Sequence, residues 1–157
     1  MRHAESGWAA PGQRDFDRTL TDRGYAEAEA VADIAADKGY GPDLVLCSTA
    51  VRCRETADTI RPAIGVDTEV RFVDELYNAS ADTYLDILSA QNDYRSVMII
   101  GHNPTIEEVL ERLVGPQAAH SASPQGYPTA GMAVLDRSEN PAQAAAAGWI
   151  ITDMVIA

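Results

Sequence analysis

The chain is 157 residues long, enough for one core that removes about 70% of the unfolded surface from water. With 46% apolar and 23% charged residues it has the composition of a globular protein and not of a disordered one. Twelve basic against twenty-four acidic residues leave a net charge of −12, which excludes the basic footprint of a nucleic-acid or anionic-membrane binder.

Apolar runs of strand length alternate with helical patterns along residues 1–157, which reads as a single α/β layered domain without internal repeats. Arg2-His3 is expected to close a first strand, although only Met1 stands before it; the strand is either very short or begins before the first residue. Residues 21–38, rich in alanine and glutamate and stopped by Gly39, predict a helix. The apolar run 43–47 predicts a buried strand, and 49–61 a helix that ends before Pro62. Glu69–Val73 alternates as a strand does, and 80–91 carries Tyr84, Leu85, Ile87 and Leu88 at helical spacing. The clearest buried strand is 96–100. Asn103 as N-cap and Pro104 in the first turn then open a helix carrying Ile106, Val109, Leu110 and Leu113. The stretch 115–128 reads as loop, 132–135 and Trp149–Val155 as two closing strands, and 144–147 as a short alanine run.

In open parallel sheets, ligands bind beyond the carboxyl ends of the strands. Three such ends carry polar residues here: Arg2-His3-Ala4-Glu5-Ser6, Ser48-Thr49-Ala50-Val51-Arg52-Cys53-Arg54-Glu55-Thr56, and Gly101-His102-Asn103-Pro104-Thr105. They bring two of the three histidines, two arginines and two helix N-termini to one rim. Imidazoles, forked guanidiniums and free backbone N–H groups suit a phosphoryl group.

Other chemistries lack their parts. Lys38, the one lysine, has no glycine-rich loop before it, so there is no P-loop. His3, His102 and His120 are the only histidines, no His-Glu-x-x-His occurs, and Arg2 and Arg52 would repel a zinc ion. Six positions after Cys47 stands Cys53, and six after Cys53 stands Thr59, so neither has the arginine of a cysteine-dependent phosphatase. A Gly-x-Ser-x-Gly elbow is absent. Histidine remains as the nucleophile. Cys47 and Cys53 read as buried small residues, too few for a disulfide scaffold. With no apolar run long enough to span a membrane and no signal-peptide pattern, a cytoplasmic setting is expected.

Arg2-His3-Ala4-Glu5, Leu20-Thr21-Asp22-Arg23-Gly24, the stretch from Ser48 to Ala57, and Gly101-His102-Asn103-Pro104, in this order, resemble the histidine phosphatase superfamily (branch 1). The small, insert-free form with Arg-His-Ala is similar to the phosphohistidine phosphatases of the SixA type. The resemblance implies a three-layer α/β/α sandwich with a mostly parallel central sheet, phosphoglycerate mutase-like, needing neither metal nor other cofactor. It implies His3 as a neutral nucleophile that carries the phosphoryl group. Arg2 and Arg52 would bind the phosphoryl oxygens, and a protonated His102 would stabilise transition-state charge. Glu75, after the third strand, stands where many members place a catalytic glutamate and is the candidate leaving-group acid. Asp15 and Asp17 are lesser candidates, and Arg18 is expected to reach the phosphate from their loop. A phosphorylated imidazole needs no strong acid, because it leaves neutral once its other nitrogen is protonated.

Short connections leave the implied pocket uncovered, open to a phosphohistidine displayed on a histidine-containing phosphotransfer domain. The leading expectation is a metal-independent phosphatase acting on protein phosphohistidine in a phosphorelay. One alternative is a phosphatase of small phosphate esters (sugar or nucleotide phosphates); the other is a non-catalytic module that binds phosphoproteins. Trp8 stands at the rim or packs beneath its loop, and His120 and Tyr127-Pro128 read as loop residues.

Overall fold

The structure, a computed structural model, describes residues 1–65, 67–139 and 148–157; the alanine run at 144–147 lies outside them. β1 (Leu44–Ser48), β2 (Glu69–Val73) and β3 (Val97–Ile100) form a parallel sheet in the order β2-β1-β3. β4 (Met132–Arg137) and β5 (Trp149–Val155) pair antiparallel. The helices among the described residues are α1 (Asp22–Asp37), α2 (Val51–Ile64), α3 (Ala81–Ser89), α4 (Thr105–Val114) and α5 (Pro116–Ala122), with 3-10 turns at Asp15–Asp17 and Asp74–Leu76.

The expected first strand is reduced to one parallel bridge, Arg2 with Gly101. His3 N–H donates to the Gly101 carbonyl and Gly101 N–H to that of Met1, while Arg2 N–H reaches Gly131 O and Ala130 N–H reaches His3 O. Residues 1–3 are thereby seated between β3 and the approach to β4.

Alternation along β1 and β3 divides their side chains between two cores. Val45, Cys47, Met98 and Ile100 pack with Val31 of α1 and Ala57 and Ile60 of α2. Leu44, Leu46 and Ile99 pack with Tyr84 of α3 and Ile106 and Leu110 of α4. Helices therefore cover both faces of the parallel sheet, giving the expected three-layer α/β/α sandwich. At the start of α1 the Thr21 hydroxyl accepts from Gly24 N–H at 3.0 Å. A Cβ on Gly24 would lie 2.1 Å from the Glu5 carbonyl oxygen, so glycine lets α1 press on the chain that follows His3.

Three expectations need correction. α2 passes through Pro62 to Ile64, because the proline sits in the last turn, where only the carbonyl of exposed Asp58 loses a helical partner while Ile60 and Ile64 stay buried. α4 starts at Thr105, not after an Asn103 cap; the Asn103 amide donates to Glu107 at 3.1 Å instead. Residues 115–128 are not all loop, since Pro116 at the first turn opens α5 and buried Ala119 anchors it. No helix among the described residues is long and apolar enough to cross a membrane.

Candidate active site

A cavity of about 740 Å³ opens beyond the ends of β1 and β3, lined by Arg2, His3, Asp15, Arg18, Arg52 and His102 among others. His3 is buried, and its Nδ1 lies 2.7 Å from the Ala4 carbonyl oxygen, which can only accept. The proton is therefore on Nδ1, and Nε2 carries the free lone pair, to which Arg52 Nε donates at 3.3 Å. Burial pushes the ring pKa down to about 3; the Ala4 carbonyl opposes this, and the charges of His102, Arg52 and Arg2 add to it. His3 is neutral at pH 7. The backbone that holds it is tied to α2 by one buried hydroxyl: Ala4 N–H donates to Thr56 Oγ1 at 3.0 Å, and Thr56 Oγ1 donates to the Arg52 carbonyl at 2.7 Å.

Arg52, buried in the first turn of α2, donates from Nη2 to His102 Nδ1 at 3.3 Å. A guanidinium has only donors, so His102 Nδ1 accepts and the ring proton is on Nε2, which donates to Ser48 Oγ at 2.8 Å. Burial, then the Arg52 charge, lowers His102 to about 4, with Asp15 pulling the other way. His102 is neutral in this arrangement, before any anion enters the cavity. An incoming dianion supplies the opposite charge that favours protonation. The ring centroids of His3 and His102 are 5.3 Å apart. Gly101 permits this placement, because a Cβ there would stand 2.4 Å from the hydroxyl of buried Tyr84. That hydroxyl donates to Leu76 O at 2.8 Å and receives His102 N–H at 3.4 Å.

Arg2 donates from Nη1 to the Tyr127 carbonyl at 2.7 Å, and its buried Nε has no partner among the described residues. Arg18, half-buried, donates to Gly7 O, Ser6 Oγ and Asp15 Oδ1 at 2.7, 2.8 and 2.9 Å. Asp15 also accepts from Arg52 and from the Tyr77 hydroxyl. Its carboxyl is held at about 2 by the hydrogen bond from Arg18 first, with Tyr77 and Arg52 adding to it against desolvation.

The structure thus brings together His3, Arg2, Arg52, His102 and Arg18. It does not bring Glu75, which is exposed and outside the cavity lining. On the 3-10 turn successive residues point about 120° apart; with Leu76 buried and Tyr77 bonded to Asp15, Glu75 is left outward. Asp17 pairs with Arg14 at 2.7 Å, away from His3. Trp8 is 94% exposed beside Arg18 and does not pack beneath its loop. His120 lies on α5 and not in a loop, exposed. Cys47 and Cys53 are buried and unpaired, and burial pushes the Cys53 thiol up to about 12. Ser48, Thr56 and Tyr77 also build the site; Ser48 and Thr56 lie within the motif from Ser48 to Ala57, whereas no motif marks Tyr77.

The model of the Histidine phosphatase superfamily (branch 1) matches residues 1–84. The crystal structure of a candidate phosphohistidine phosphatase SixA from Agrobacterium tumefaciens is 45% identical, with a TM-score of 0.90 over 100% of this chain and 95% of that one. The protein histidine phosphatase SixA complexed with tungstate shares the fold at 19% identity, with a TM-score of 0.80 over 99% and 94% of the two chains. So does the alpha-ribazole phosphatase from Shigella flexneri, at 16% identity and a TM-score of 0.71 over 99% and 94%.

Proposed function

Because the chain belongs to the histidine phosphatase superfamily (branch 1) and is a phosphatase, we propose that it works without a metal, through a covalent phosphohistidine on His3, and acts on phosphohistidine carried by another protein. The observation that carries this reading is His3 itself, buried and neutral, with Nδ1 committed to Ala4 and Nε2 beside Arg52. Nε2 attacks phosphorus; a new N–P bond forms as the substrate's N–P bond breaks, and its electron pair goes to the departing imidazole, which is already protonated on its other nitrogen. The Ala4 carbonyl then faces the positive charge of the phosphorylated ring. Arg2, Arg52 and Arg18 hold the phosphoryl oxygens, and His102 takes a proton from solvent as the dianion binds beside it and returns it to solvent when phosphate leaves. Water attacks the phosphorus next, Nε2 leaves with its pair, and phosphate is released.

The phosphohistidine substrate is supported by the carboxylates around the nucleophile. Asp15, with its carboxyl near 2, is ionised and has no proton to give, and Glu75 is outside the cavity. A neutral imidazole leaves without a donor, whereas an alkoxide does not. The second reading, hydrolysis of small phosphate esters, is supported by the fold shared with the Shigella flexneri phosphatase. It would require Glu75 to turn inward as the acid. The two buried, unpaired cysteines support a cytoplasmic setting.

The test uses a phosphotransfer domain radiolabelled on histidine, in EDTA. A brief reaction quenched in alkali should trap acid-labile, alkali-stable phosphate on the wild type and none on His3→Ala. Turnover by His3→Ala at the wild-type rate would overturn the nucleophile. A higher kcat/KM on aryl phosphate than on phosphohistidine would replace the substrate with esters.

A further inference from the structure

Asp15 stands among the groups that would grip an anionic substrate. Its Oδ2 accepts from Arg52 Nη2 at 3.0 Å and from the Tyr77 hydroxyl at 2.9 Å, and its Oδ1 accepts from Arg18 Nη1 at 2.9 Å. Its backbone carbonyl accepts from Arg52 Nη1 at 2.8 Å. With Nε on His3 and Nη2 shared with His102, four of the five N–H groups of Arg52 are engaged. A fork-like grip on a phosphoryl group needs two. It therefore has to displace a bond already made, and Asp15 holds two of them.

We propose that Asp15 is an internal anion that competes with the phosphoryl group for Arg52 and Arg18, and that it is displaced when substrate enters. The inference rests on the phosphatase reading of the site. The turn Asp15–Asp17 contributes no buried residue to the core, so its release disrupts little packing. Phe16 lies edge-on to Tyr77 at 5.1 Å, and Tyr77 lies edge-on to His102 at 5.7 Å, so Asp15 ties this turn to the two arginines and to the tyrosine beside His102. A phosphorylated protein brings contacts beyond the phosphoryl group that offset the displacement. Free phosphate brings none, so Asp15 weakens retention of the product and disfavours small anions that lack such contacts.

The experiment titrates inorganic phosphate calorimetrically into wild type, Asp15→Ala and Tyr77→Phe at neutral pH. Asp15→Ala should bind phosphate about tenfold more tightly, the effect of relieving one charge-assisted hydrogen-bonded competitor. Tyr77→Phe keeps Asp15 but removes one of its tethers, and should tighten phosphate by about threefold. Phosphate as a competitive inhibitor of aryl phosphate hydrolysis should strengthen by the same factors. Unchanged or weaker phosphate binding by Asp15→Ala overturns the proposal, and means that Asp15 orders Arg52 for the substrate. If the wild type neither binds phosphate nor hydrolyses any phosphorylated substrate, the phosphatase reading itself fails and the proposal falls with it.

Discussion

Replacing Thr56 by valine isolates the joint between the His3 segment and the helix that carries Arg52. Thr56 and Ala4 are both fully buried, and valine preserves the side-chain volume. The Arg52 carbonyl keeps its helical N–H donor when the hydroxyl is lost, but Ala4 N–H, bonded at 3.0 Å to Thr56 Oγ1, is left with no acceptor from that side chain. A buried donor stranded in this way costs about 1–3 kcal/mol. Thr56→Val should therefore lower stability by about 2 kcal/mol, or about 4–8 °C in Tm at this chain length. Ala4 also supplies the carbonyl that fixes the His3 tautomer, so a shifted Ala4 peptide should lower kcat by at least about tenfold. Thr56→Ser keeps both hydrogen bonds and loses one methyl, about 1 kcal/mol, and should retain near-wild-type kcat. Urea unfolding and steady-state kinetics on the three proteins check this. Equal loss of kcat in the serine and valine variants, or a valine variant within about 0.5 kcal/mol of wild type, would refute the assignment of Thr56 as a positioning residue.

Three other outcomes are expected. Folded His3 and His102 titrate near 3 and 4 against an ordinary 6.5, so between those values the unfolded chain binds more protons and stability falls as pH drops from 6.5 toward 4. Each ring adds a slope approaching about 1.4 kcal/mol per pH unit, and urea midpoints measured from pH 7 to pH 4 should show His3→Gln removing one such contribution; an unchanged slope would contradict the burial of a neutral ring. Ser48→Ala removes the 2.8 Å acceptor of His102 Nε2, and should lower kcat about tenfold with about 1 kcal/mol of stability, whereas wild-type kinetics would show that Cys53 Sγ, at 3.5 Å, suffices. Glu75→Gln should leave phosphohistidine turnover within about twofold of wild type; a loss of about 10²-fold on aryl phosphate would identify Glu75 as the acid of an ester phosphatase.

The parts of the fold legible in the sequence were those whose burial imposes a period. β1 and β3 are covered on both faces and read as unbroken apolar runs, whereas β2, at the sheet edge, alternates only from Glu69 to Arg71, with Phe72 exposed and Val73 half-buried. α5 has seven residues, too few to show a helical period, and Gly115-Pro116 reads as a breaker. In the structure the same pair ends α4 with a φ of 85° at Gly115 and opens α5 with proline at its first position. Pro62 misled in the opposite sense, because a proline in the last turn of a helix removes one hydrogen bond without removing the apolar face that Ile60 and Ile64 bury.

In the site, Arg52 and His102 were legible because they follow the ends of β1 and β3, and His3 because it follows the bridge Arg2 makes beside the end of β3; strand ends in a parallel sheet converge by topology alone. Their protonation was not. Nothing next to His102 in the chain tells whether it donates or accepts toward Arg52, 50 residues away; the question is settled by Ser48, 54 residues away, which takes the Nε2 proton. Tyr77 and Asp15 meet across 62 residues, so an exposed-looking loop carboxylate and a tyrosine after a short turn carry no local mark of contact. The same separation explains Glu75. It was placed by its position after the third strand, and position locates a backbone, whereas the side of a 3-10 turn that faces the cavity is set by which neighbour the core claims, here Leu76. Arg52 joins both levels. Its place on α2 is read from sequence, yet what keeps His3 and His102 neutral is burial first, with the Arg52 charge adding to it in both, and burial is set by the packed fold.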